Sequence, residues 1–168
     1  MENETISITF NGDVDRDNAK WIQWYNDAKK IIRLLGYEPT HVGIDSTTLT
    51  SGKVMMLRKR EKKIINSIEN GDKIKYISMF SLPDGYKSAS FDYNVLLARD
   101  YGYISLIMNK NDFNNIQEET IISILKKYID VKFGEVYEMD RREFPLFYAA
   151  KDSLASSFKT LKIIKEIH

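Results

Sequence analysis

An α+β domain is predicted by three features of this sequence. Apolar residues alternate with period two in several short runs, recur at three- and four-residue intervals in others, and the central period-two runs follow one another across short turns. Helical and extended segments are segregated, so the expected architecture is a mostly antiparallel sheet of five to six strands, with three to four helices packed mainly on one face. The 168 residues contain no repeat, low-complexity tract or Pro/Gly/Ser-rich linker. Residues 1–168 therefore read as a single domain.

Taken in order, Thr5 to Asn11 alternates Ile6, Ile8 and Phe10 with Ser7 and Thr9, the mark of a half-buried strand, and Gly12 breaks it. From Asn18 the period changes: Trp21, Trp24, Tyr25, Ala28, Ile32 and Leu35 make an amphipathic helix, with Asp17 as N-cap and Gly36 as stop. Thr40 to Ile44 is a short strand after Pro39. A polar loop from Asp45 to Gly52 leads to a second helix over Lys53–Glu69, whose stripe is Val54, Leu57, Ile64, Ile65 and Ile68. Lys73 to Leu82, Ala89 to Leu97 and Tyr103 to Met108 are strands. Pro83, Asp84 and Gly85 supply one turn and Asp100 to Gly102 the other, which predicts a meander. Ile116 to Ile129 is a third helix and Val131 to Tyr137 a strand. Leu154 to Ile167 fits either state: Leu154, Phe158 and Leu161 have helical spacing, while Leu161, Ile163 and Lys165 alternate.

Composition narrows the function classes. The chain is 43% hydrophobic and 29% charged, ordinary for a globular domain. A domain of this size buries roughly 70% of the surface its unfolded chain exposes, so neither disulfide nor metal is required for folding. The absence of cysteine excludes thiolate metal sites, thiol nucleophiles and iron–sulfur clusters. Met1 to Thr5 shows neither a basic n-region nor an apolar h-region, and no apolar run approaches the roughly 20 residues of a membrane span. A soluble, cytoplasmic chain is expected. Lys and Arg number 25 against 24 acids, a net charge of +1, without the basic excess of a dedicated nucleic-acid binder.

Motifs that suggest chemistry fail on their neighbours. Asp13, Asp15 and Asp17 resemble the opening of a calcium loop, but Asn18 stands at the sharp-turn glycine and Trp24 at the closing glutamate. Acids there suit a helix N-terminus. Gly52 and Lys53 before a helix suggest a phosphate loop, but Thr47 replaces its first glycine and Val54 its hydroxyl. Glu61, Lys62 and Lys63, with Asp45 upstream, imitate a nuclease element, yet they fall on a helix. His41 and His168 are the only histidines, too few for a histidine-dependent triad or a zinc site. No cofactor, no metal and no catalytic residue is expected, and the chain reads as a non-enzyme.

What remains points to binding. Tyr86, Tyr101 and Tyr103 lie in or beside turns, where their rings offer contact area at low entropic cost. With Asp13, Asp15, Arg141 and Arg142 they are the candidate contacts for one protein partner. The alternative is a nucleic-acid-binding or nuclease-like factor using the basic helix 53–69, with Lys53, Arg58, Lys59 and Arg60 on phosphates. The closing segment Gly134 to Asp140, followed by Phe144 to Ala149, resembles small immunity proteins encoded beside polymorphic or contact-dependent inhibition toxins, as do the size and the Lys/Ile-rich composition. The resemblance covers about the last quarter of the chain. It implies a cytoplasmic partner of a toxin domain that occludes an active site or a needed surface, with no residues carried over as contacts.

Overall fold

The computed structural model describes residues 2–50 and 53–168. Its strands are β1 (Glu4–Val14), β2 (His41–Ser46), β3 (Met55–Met56), β4 (Ile74–Ser81), β5 (Val95–Arg99), β6 (Tyr103–Asn109), β7 (Ile129–Asp140) and β8 (Lys162–Glu166). The α-helices are α1 (Asn18–Leu34), α2 (Leu57–Glu69), α3 (Glu118–Leu125) and α4 (Pro145–Ala149). All strands pair antiparallel in one sheet, in the order β3-β2-β4-β5-β6-β1-β7-β8. Ile6, Ile8 and Phe10 meet Trp21, Trp24, Tyr25 and Ile32 of α1, Ile64 and Ile68 of α2, and Ile121 and Leu125 of α3 in one core. Three helices thus cover one face, and the short α4 lies on the other, over Ala98 and Tyr103.

The α+β class and the antiparallel sheet hold, but the sheet has eight strands rather than five to six. Two short strands make the difference. Met55 and Met56 pair with Val42 and His41, so the second helix starts at Leu57 rather than Lys53. The ambiguous C-terminal stretch resolves as β8 on β7. The expected strand from Ala89 to Leu97 is strand only from Val95, because residues before it are held in turns. The Asp92 carboxylate accepts from the backbone N–H groups of Lys87 (2.8 Å) and Ser88 (2.9 Å), and Phe91 and Tyr93 give their carbonyls to Arg141. Side chains thus occupy backbone groups that a ladder would need. The third helix ends at Leu125, a 3-10 turn (Lys126–Tyr128) follows, and Ile129 already belongs to β7.

A buried arginine ties β5 to the start of α1. Arg99, fully buried, lies 4.0 Å from the Trp21 ring centroid and donates to the carbonyls of Lys20 (3.2 Å) and Asp15. Burial brings its pKa down to about 10. Asn18 donates to the carbonyls of Ile68 (3.1 Å) and Asp72 (3.0 Å), so the start of α1 sits at the end of α2. The far ends of the two helices therefore meet near β3.

A candidate interface at the β2–β3 end

The residues singled out from sequence do not form one patch. Asp13, Asp15 and Tyr101 sit where β1 ends beside the β5–β6 turn: Gly12 N–H donates to the Gly102 carbonyl at 3.1 Å, and Arg16 covers the Tyr101 ring at 4.1 Å. Asp13 pairs with Lys132 (3.2 Å), Asp15 accepts from the Asp17 N–H (3.0 Å), and Asp17 caps α1 through the Ala19 N–H (3.1 Å). Tyr103 is buried. Arg141 and Arg142 follow Asp140, which pairs with Glu4 at the opposite end of β1 from Asp13, about 30 Å away at the usual rise of a strand.

Arg141 is not a surface group at all. It is 3% exposed and donates to the carbonyls of Glu2 (2.7 Å), Phe91 (2.8 Å) and Tyr93 (2.8 Å) and to the Asn109 side chain. It holds the chain start and the 88–94 turns against β6, and both it and Tyr103 leave the list of candidate contacts. Arg142 is exposed but engages Asp140 through Nε (3.0 Å) and Nη2 (2.6 Å). Tyr86, 37% exposed, lies apart from the rest.

Three concavities instead surround the β2–β3 end. The first, about 370 Å³, lies on the sheet face that α1–α3 leave open. Gly43, Tyr76 and Ser78 line its floor, Lys53 and Val54 one side, and Phe144 and Phe147 the other. A Cβ on Gly43 would stand 2.7 Å from Ser78 Oγ, so glycine keeps the floor open. Phe144 has φ 58° and ψ 82°, a left-handed conformation rare without glycine, and Pro145 follows as the first residue of α4. That conformation sets the Phe144 ring between Phe91 (4.6 Å) and Phe147 (5.0 Å, 27° between planes). Phe147, the outer ring, is 59% exposed.

The second concavity, about 540 Å³, lies between the β2 edge and α2 and includes Leu49, Met55 and Arg60; Lys53 borders it too. The third, about 600 Å³, lies where the end of α1 meets the start of α2, lined by Arg33, Arg58, Glu61, His41 and Tyr86. Within it Glu61 accepts from Lys29 Nζ (2.7 Å) and from Tyr25 Oη (3.1 Å). The Lys29 hydrogen bond holds the Glu61 carboxyl below the usual carboxylate range, and burial raises the Tyr25 phenol. His41 meets Tyr86 edge-on at 5.1 Å, with Nδ1 2.8 Å from Thr40 Oγ1, and burial lowers its pKa.

The structure thus keeps Tyr86, Arg58, Arg60 and Lys53 at this end, with Lys59 on the adjoining outer face of α2, and adds Gly43, Phe144 and Phe147. Phe144, Leu146 and Phe147 entered the sequence reading only within the segment Phe144 to Ala149, and their one signal as a site is that they crowd apolar side chains around Pro145. Spacing over so few residues does not reveal which ring faces water. Comparison with protein-family models, with curated proteins and with solved structures finds no match, so the site is read from its own geometry. Aromatic faces, aliphatic walls and cations converge here, a set suited to contact with another surface.

Proposed function

We propose that this chain is a protein-binding module: a cytoplasmic immunity protein that neutralises one cognate toxin domain by occupying its surface, with no chemistry of its own. The observation that carries the reading is Phe147, more than half exposed and stacked on Phe144 at the rim of an open groove. A large ring held outward in one orientation loses little entropy on binding and serves as an anchor for a partner. Among the described residues no helix is long and apolar enough to cross a membrane, which agrees with a protein working free of the bilayer.

Co-purification of the tagged full-length chain from its native host tests the reading. One protein should co-elute in a fixed ratio, inhibit growth when expressed alone, and be silenced by co-expression of this chain. Phe147→Ala should weaken the complex about 10- to 30-fold, roughly 1.4–2 kcal/mol. Elution of the chain alone, a partner held equally well by Phe147→Ala, or turnover of a substrate by the pure chain would overturn it.

A further inference from the structure

Charge on this molecule is strongly polarised. Helices α1 and α2 together carry nine Lys and Arg against three Asp and Glu, a local charge of +6 in a chain whose total is +1, so the remainder is net −5. Lys30 and Arg33 on α1, and Arg58, Lys59, Lys62 and Lys63 on α2, are all exposed on the outer side of the helical layer. Arg33 has an acidic partner, Glu38 at 3.3 Å, and the other five make no ion pair among the described residues.

This arrangement works against the helix that bears it. The first turn of α2 contains no acid and has no side-chain cap, yet begins with Arg58, Lys59 and Arg60, next to the positive end of the helix dipole. Lys62 and Lys63 then repeat the charge one turn on, where like charges repel. Folding alone favours acids at these positions. The cations fit a surface that meets its complement elsewhere.

We infer that the α1–α2 face docks an acidic patch on a protein partner through Lys30, Arg58, Lys59, Lys62 and Lys63, the cations that have no ion-pair partner among the described residues. The inference deepens the protein-binding reading and rests on it for the choice of polypeptide over nucleic acid. Two further features favour that choice. The positive field spans two helices of about 20–25 Å, bordered by a net negative remainder that would repel a long polyanion. The cleft between Arg33 and Arg58, at the end of this face, also mixes its cations with Leu57, Leu82 and Pro83 and with the acids Glu61 and Asp84, a lining that fits mixed side chains and not a run of phosphates.

Fluorescence anisotropy on the full chain tests this, with labelled poly-L-glutamate, duplex DNA and single-stranded RNA of equal charge. Poly-L-glutamate should bind at about 50 mM salt and weaken at least about tenfold by about 200 mM, a range over which such contacts are screened. Lys59→Glu, Lys62→Glu and Lys63→Glu combined should lose at least tenfold, and the milder K59Q/K62Q/K63Q set should lose less with an unchanged thermal melt. The same charge change made at Lys132, Lys159 and Lys162, all exposed and outside the α1–α2 face, should leave binding intact. Failure to bind poly-L-glutamate, equal loss from the distant triple variant, or tighter binding of either nucleic acid would overturn the inference. If the co-eluting protein of the preceding experiment persists while poly-L-glutamate fails, the protein-binding reading stands without this face. If poly-L-glutamate binds and no partner co-elutes, the reverse holds.

Discussion

The β1–β6–β7 half of the sheet and the β2–β3 end are built on opposite principles. In the first, backbone and side chains close on one another: Arg141 satisfies three carbonyls, Thr9, Ser105 and Tyr137 link hydroxyls beneath α4, and buried Glu135 holds Lys151 at 2.7 Å. In the second, a two-residue edge strand, a floor glycine and an outward aromatic pair leave three grooves. On the protein-binding reading proposed above, the closed half would serve as scaffold and the open end as contact surface, since a fixed scaffold lets an exposed ring bind without losing much entropy.

The comparison breaks most readily at Gly12. A Cβ there would stand 2.0 Å from the Asp130 carbonyl oxygen, inside the β1–β7 pairing, so Gly12→Ala should cost about 3 kcal/mol or more in urea denaturation. A cost below about 1 kcal/mol would mean that this half yields more easily than its packing implies. Arg141→Met comes next. It strands the carbonyls of Glu2, Phe91 and Tyr93 and should lose about 2–3 kcal/mol, with hydrogen exchange rising first in residues 88–94. At the open end the expectation reverses: Phe147→Ser should change stability by no more than about 0.5 kcal/mol while weakening the proposed complex. A large loss of stability would make Phe147 a structural ring.

The smallest effect concerns pH. Burial depresses the folded pKa of His41, so as pH falls the unfolded chain takes up the proton first. Stability should therefore decline as pH drops below about 6.5 and level off below the folded value. His41→Asn should remove that part of the slope in denaturation midpoints measured across this window. An unchanged slope would place the titration elsewhere.

Much of the fold was legible because long elements repeat their pattern. The stripe of α1 and its Asp17 cap follow directly from residue spacing. The alternation of β1 gave the strand but not its burial: the face of Thr5, Ser7 and Thr9, expected to be open, is fully buried, because α4 covers it and Thr9 bonds Ser105 and Tyr137 there. The run before Val95 misled because alternation records side-chain character, whereas Asp92 and Arg141 decided where the backbone hydrogen bonds went. Tyr103 and Arg141 looked like surface groups for a related reason: polarity and a neighbouring turn were visible, and the cover supplied by remote segments was not.

By itself the sequence determined the α+β class, the helical stripes that make one core, and the basic character of residues 58–63, all properties of neighbours in the chain. Only the tertiary structure decided the eight-strand order, the burial of Arg141, and the meeting of Gly43, Lys53, Phe144 and Phe147 around one groove. Those residues are separated by more than a hundred positions at the extreme (Gly43 to Phe147), and no local periodicity records which distant segments pack together.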